Sequence, residues 1–63
     1  MNAIINWENR DDQDCAELYI DGEYVDGEII EASADRADYE AVEGRLIDAA
    51  SLNPADVKIA AAF

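Results

Sequence analysis

Hydrophobic and polar residues alternate along most of the first 31 residues of the chain, and this two-residue period is typical of β-strands. Residues 2–8 alternate in this way and predict a first strand with Ala3, Ile5 and Trp7 on one face. The stretch that follows, residues 9–14, is polar throughout and shows no period. It predicts a solvated loop between the first strand and the second.

A β-hairpin is predicted where Asp21 and Gly22 separate two alternating segments. Asp-Gly is a strong signal for this turn because a type I′ turn needs positive φ at both central residues. In the resulting register one face holds the core residues Leu18, Ile20 and Val25, and the other holds a pair of tyrosines and a pair of acids. The residues that face each other are Ile20 and Glu23, Tyr19 and Tyr24, Leu18 and Val25, and Glu17 and Asp26.

The chain beyond this hairpin predicts the end of a third strand and one helix. Gly27 indicates a bulge or bend in a strand that continues through residue 31. Ser33 or Asp35 offers a helix N-cap, and Asp38 would complete a capping box with Asp35. The helix should extend to about residue 50, before Pro54, with a buried stripe formed by Tyr39, Val42, Leu46 and Ala49.

The last segment alternates again and predicts a strand with Val57, Ile59, Ala61 and Phe63 on one face. Because a crossover leads to this strand, it should run parallel to its neighbour, most simply beside the first strand. The order strand, strand, strand, helix, strand predicts a single α+β domain over residues 1–63. Its small, mostly antiparallel sheet of about four strands would be covered on one face by the helix.

Composition argues against several classes of function. The chain has no histidine and a single cysteine, Cys15, so the usual nucleophilic sites, an internal disulfide and a cysteine zinc cluster are all ruled out. We therefore expect no enzymatic activity, no cofactor and no metal site. No apolar segment approaches the length of a membrane span, and a lone cysteine favours the cytoplasm over secretion.

The polar stretch containing Asn9, Asp11, Asp12 and Asp14 is the one cluster that resembles a cation site. It lacks the glycine and the distal glutamate of a calcium loop. A solvated acidic loop is therefore favoured, with loose divalent binding as the alternative.

The net charge is the feature that bears most on function. Sixteen acids against four bases give −12 on 63 residues, beyond the magnitude of roughly 2 to 8 that keeps a small domain soluble. Residues 1–31 hold ten acids and one base, a net −9, and the rest of the chain holds a net −3. Such a chain should repel nucleic acid and anionic membranes and attract a basic protein surface.

Two interpretations of this charge remain open. Like charges that face each other across a hairpin destabilise it, so the predicted pair Glu17 and Asp26 favours an external partner. An acid-rich, lysine-poor composition is also what a salt-adapted organism gives its cytoplasmic proteins. On that second interpretation the chain is an accessory or structural domain with no mimic role.

In length, acidity and lack of catalytic apparatus the chain resembles the small acidic proteins that phages encode as DNA mimics, the anti-CRISPR inhibitors among them. The resemblance is one of kind, since these proteins share no signature motif. It implies a non-enzymatic inhibitor in the host cytoplasm that occupies a basic DNA-binding surface of a host defence complex. The partner-binding surface would be formed by Asp11, Asp12, Asp14, Glu17, Tyr19, Asp21, Glu23, Tyr24, Asp26, Glu28 and Glu31. Either edge of the predicted sheet could also pair with a second copy in a weak homodimer.

Overall fold

The strands and the helix occur in the predicted order. The computed structural model describes residues 1–61. The strands are β1 (Ala3–Arg10), β2 (Gln13–Ile20), β3 (Glu23–Glu31) and β4 (Val57–Ala61), and the helix is α1 (Arg36–Ala49), followed by a 3-10 turn at Pro54–Asp56. The sheet order is β3-β2-β1-β4, with β4 parallel to β1 and the other neighbours antiparallel. This confirms the α+β fold and the position of β4.

A tight hairpin joins β1 to β2, so the solvated loop predicted for residues 9–14 is wrong. Arg10 lies opposite Gln13, and only Asp11 and Asp12 form the turn. Asp11 has φ 57°, a left-handed conformation that aspartate tolerates better than most residues. Backbone groups make the ladder, so polar residues can pair as strands where the end of a hairpin meets solvent.

The second hairpin, between β2 and β3, has the predicted turn. Asp21 has φ 51° and Gly22 has φ 85°, so both central residues take the positive angles of a type I′ turn. The pairs nearest the turn also follow the prediction, with Ile20 opposite Glu23 and Tyr19 opposite Tyr24. The local turn signal therefore sets the start of this register.

A bulge at Val25 changes the rest of that register. Beyond it Leu18 lies opposite Asp26, and Glu17 lies opposite Gly27. The predicted pairs Leu18–Val25 and Glu17–Asp26 are therefore wrong, and Val25 is 47% exposed instead of buried. The bulge predicted at Gly27 occurs two residues earlier, so the two acids never face each other and give no sign of a partner.

The helix α1 begins and ends close to the predicted positions. Asp35 is its N-cap, and the Asp35 backbone N–H donates to the Asp38 carboxylate at 3.1 Å. After the last turn Ser51 takes φ 56°, and the chain continues to Pro54, which cannot extend the helix. Within residues 1–61 no helix is long and apolar enough to cross a membrane.

The hydrophobic core lies between α1 and one face of the sheet. Its buried side chains are Ile5, Trp7, Ala16, Leu18, Val42, Leu46 and Ile47. Ile47, which the helical pattern places at the margin of the buried stripe, is among them, whereas Ala49 is exposed. Tyr39 is partly buried and packs against this cluster. The buried stripe of α1 is therefore rotated slightly about the helix axis, towards Ile47 and away from Ala49.

The helix is too narrow to cover the whole sheet. A helix is about 10–12 Å wide with its side chains, whereas four strands span about 14 Å between their outer axes. Ile59 on β4 lies opposite Ile5 on the core face and is accordingly 48% exposed. Ile29 on β3 is 60% exposed for a different reason, because it lies opposite Cys15 on the face of the sheet that α1 does not cover. Phe63, predicted to continue the last strand, lies outside the described residues.

Candidate functional site

Four acids lie along β3, which forms one of the two free edges of the sheet. We call Glu23, Asp26, Glu28 and Glu31 the acidic edge. The strand is nine residues long, but Val25 is an extra residue, so Glu23 and Glu31 lie as far apart as Ile20 and Gln13 opposite them. That is seven spacings, or about 24 Å at about 3.4 Å per residue. That distance is most of the 32 Å longest dimension of the molecule.

The two hairpin turns place more acids at the ends of this row. Asp21 precedes β3 in the second turn, where its carboxylate accepts from the Asn2 backbone N–H at 2.8 Å. Asp12 lies in the first turn, and its carbonyl accepts from the Ala32 backbone N–H at 3.0 Å, just beyond the end of β3. Asp11 is exposed beside it. Carboxylates thus continue past both ends of the acidic edge.

Glu28 is the member of the acidic edge that has a cationic partner within residues 1–61. Arg45 of α1 approaches it with Nη2 at 2.5 Å and Nε at 3.0 Å from Oε1. The hydrogen bond to Glu28 raises the pKa of the Arg45 guanidinium above its ordinary value. Glu28 therefore ties α1 to β3 and is less available to a partner than its neighbours.

Glu17 is also paired inside the molecule. Arg10 lies 2.8 Å from Glu8 and 4.0 Å from Glu17. The hydrogen bond that Arg10 donates to the Glu8 carboxylate, with the negative charges of nearby groups, raises the pKa of Arg10 above its ordinary value. Among the predicted site residues, the exposed acids without an ion pair in the described chain are Asp11, Asp12, Asp21, Glu23, Asp26 and Glu31.

Asp14 was predicted on the partner-binding surface, but it is only 3% exposed. Its carboxylate accepts hydrogen bonds from the Tyr39 hydroxyl and, at 2.8 Å, from Asn9 Nδ2. The burial of Asp14 could have been predicted from the two-residue period of β2, because Asp14 shares a face with Ala16 and Leu18, which are buried. Asp14 is therefore a structural residue at the margin of the core.

The Asp14 carboxylate changes the titration of Tyr39. The hydrogen bond between them, assisted by burial of the phenol and by the negative charge of Asp14, raises the pKa of Tyr39 above its ordinary value. The Tyr39 ring also packs against Trp7, with centroids 5.0 Å apart at 59°. The Trp7 indole Nε1 donates to the Glu43 carboxylate at 2.7 Å, so two aromatic residues and two acids hold α1 to the sheet.

The predicted tyrosine pair forms, but it lies on a different face from most of the acidic edge. The rings of Tyr19 and Tyr24 are 5.9 Å apart and nearly perpendicular. Opposed residues share a face of a sheet, so this pair lies on the open face, which α1 does not cover. Glu23 and Asp26 lie opposite Ile20 and Leu18 and therefore face the helix side.

The bulge at Val25 explains this division. An extra residue in one strand reverses the alternation beyond it, so Glu23, Asp26 and Glu28 fall on one face although they are not evenly spaced in sequence. The predicted surface is thus two surfaces that meet at the edge of β3. One is acidic and borders α1, and the other is aromatic.

The fold adds one acid, Asp38, that the sequence pattern did not assign to the acidic side. Asp38 lines a shallow groove between α1 and β3, together with Glu28, Ile30 and Arg45. The sequence does contain a pattern that indicates this position. Asp38 and Arg45 are seven residues apart, which is two helical turns, so they lie on one side of α1. Asp38 extends the acidic surface from β3 onto the helix.

The described residues contain no group of three or more acids or cysteines arranged to hold a metal ion. In the predicted cation cluster, the Asp14 carboxylate accepts from Tyr39 and Asn9, whereas Asp11 and Asp12 lie in the exposed turn. Comparisons with protein-family models, curated proteins and solved structures find no match to this chain.

Proposed function

We propose that this protein binds a basic surface of a nucleic-acid-binding protein through the acidic edge and the adjoining turns, and that it excludes nucleic acid from that surface. The observation that carries the proposal is a row of carboxylates along a strand edge about 24 Å long, of which Glu23, Asp26 and Glu31 are exposed and have no ion pair among the described residues. Negative charge ordered along a line suits a channel that is built for a phosphate backbone. A basic DNA-binding surface of a host defence complex, of the kind that anti-CRISPR proteins occupy, is the expected target.

The acidic edge resembles a DNA strand in the sign of its charge and in having charges spread along a line, but it carries fewer charges over the same length. A single DNA strand carries a phosphate about every 3.4 Å along the helix axis, or about seven over about 24 Å. The acidic edge holds four carboxylates, of which Glu28 is already paired with Arg45. Asp21 and Asp12 at the two ends raise the local charge. Affinity must therefore come from several weak contacts together, which makes it sensitive to salt.

Purified nucleic-acid-binding complexes, CRISPR effector complexes among them, provide the direct test. Each complex is bound to a fluorescent DNA duplex, and the protein is then added at increasing concentration and at several salt concentrations. We expect stoichiometric displacement of the duplex from the target complex, and weaker displacement as salt rises. Failure to displace the duplex from any complex at low salt would contradict the proposal.

Charge-reversal variants separate the acidic edge from the total charge. The double variant Glu23→Lys/Glu31→Lys removes two exposed acids of β3, and Asp48→Lys/Asp56→Lys removes two exposed acids outside it. Both change the net charge from −12 to −8. We expect the first to raise the half-inhibitory concentration about tenfold or more, at about 1 kcal/mol for each reversed exposed contact. The second should act much less.

The alternative of a salt-adapted domain predicts a different result. Such a chain would be poorly folded in dilute buffer and progressively stabilised by molar salt, and it would displace DNA from none of the complexes. Equal loss of inhibition in the two double variants would show that only total charge matters, which would also contradict a role for the acidic edge.

A further inference from the structure

The strand β4 forms the second free edge of the sheet and differs from the acidic edge in its charge. It pairs with β1 on one side in a continuous register without a bulge. Its five residues include one charged side chain, Lys58, and no acid. Natural proteins protect free edges with charges and bulges, and β3 has both. The edge of β4 is therefore the one suited to pairing.

An exposed apolar side chain lies at the middle of this strand. Ile59 is 48% exposed and points to the helix side, because it lies opposite Ile5 of the core. Beside it is an open groove between α1 and β4, lined by Trp7, Tyr39 and Ala61 among others. A second β-strand placed along β4 would cover Ile59 and this part of the groove.

We propose that two copies of the chain associate through β4, antiparallel and about a two-fold axis, to form one continuous eight-stranded sheet. In the register centred on Ile59, that residue faces Ile59 of the second copy, and all five residues of β4 are paired. Lys58 then faces Ala60 of the second copy, so the two lysines are not opposed. An interface with two-fold symmetry closes on itself and stops at the dimer.

Electrostatics explains why a chain with a charge of −12 would associate at this edge and at no other. In the proposed dimer the two acidic edges are seven strand spacings apart, about 34 Å at about 4.8 Å each. The Debye length is about 8 Å at physiological salt and about 30 Å at about 0.01 M. Repulsion between the acidic edges is therefore screened at physiological salt and felt in dilute buffer.

This salt dependence has the opposite sign from that of the proposed function. Salt should strengthen the dimer and weaken binding to a basic partner, so either can fail without the other. The interface is one short strand and the rim of a groove, well below the roughly 1,200 Å² of a stable complex. We therefore expect a weak dimer, with a dissociation constant on the order of 0.1–1 mM.

Sedimentation equilibrium tests the proposal on the intact chain. We expect a mass between monomer and dimer that rises with protein concentration at about 0.5 M salt and falls towards the monomer at about 0.01 M. The variant Ile59→Lys should raise the dissociation constant at least tenfold. The matched control Ile29→Lys changes a similarly exposed isoleucine on the other edge strand and should leave it unchanged.

A cysteine variant tests the register, and this test remains informative even if Ile59→Lys fails to fold. In a Cys15→Ser background, Ile59→Cys should oxidise to a covalent dimer and Ile29→Cys should not, because only the first is opposed to itself. A monomer at every concentration in high salt would overturn the proposal. So would species larger than a dimer, or protection of β4 amides from exchange only when a basic protein is added.

Discussion

The same substitution at two glycines should change stability in opposite directions. At both Gly22 and Gly44 an added Cβ would meet no atom within 4 Å, so packing does not distinguish them. Gly44 lies within α1, where alanine is favoured over glycine by about 1 kcal/mol. Gly22 has φ +85°, and a residue with a side chain in a left-handed conformation is disfavoured by about 1–2 kcal/mol. Gly44→Ala should stabilise the chain and Gly22→Ala should destabilise it.

Thermal and urea unfolding, followed by far-UV circular dichroism, measure this pair. For a domain of this size about 1 kcal/mol corresponds to about 4–8 °C in Tm. We expect Gly44→Ala to unfold that much higher and Gly22→Ala to unfold lower by a similar or larger amount, at one salt concentration. Equal shifts in the same direction would refute the reasoning, because backbone conformation would then not govern either site.

Two further predictions concern the aromatic residues. Trp7→Ala should leave the chain unfolded by circular dichroism. Truncating a buried tryptophan costs about 3–5 kcal/mol, and the whole free energy of unfolding that a core this small supplies is about as large. The control Tyr24→Ala, at a residue that is 58% exposed, should remain folded. The raised pKa of Tyr39 means that its contribution to stability is complete below the ordinary tyrosine pKa and is lost as pH rises through the raised value. The free energy of unfolding should therefore fall on alkaline titration, and Tyr39→Phe should be less stable at neutral pH and show a smaller alkaline fall; an unchanged titration would contradict the role of its hydrogen bond to Asp14.

The structure changes why a basic partner is proposed. The predicted clash of Glu17 with Asp26 would have required an external explanation, but the bulge at Val25 removes that clash. Acids on a free edge strand also have an internal use, since they discourage edge pairing. The proposal of a partner now rests on the number of exposed acids that no arginine neutralises. These acids lie along β3 and in the two turns at its ends, which contain Asp21 and Asp12. The charge-reversal variants are designed around those residues.

Features that depend on neighbouring residues could be predicted from the sequence. The Asp21-Gly22 turn, the cap formed by Asp35 and Asp38, and the end of the helix before Pro54 are all local, because each rests on the backbone preferences of a few residues. The two-residue period identified the strands, and the crossover rule placed the last strand parallel to the first. These local signals were sufficient for the α+β fold.

Only the tertiary structure decided which of the acids are available to a partner. The bulge at Val25 turned Asp26 to the helix side, Tyr39 took the Asp14 carboxylate into the core margin, and Arg45 paired with Glu28. Each of these joins residues that are distant in the chain or depends on strand pairing that no local preference specifies. The same holds for the exposure of Ile59 at the β4 edge, which follows from a helix narrower than the sheet it covers.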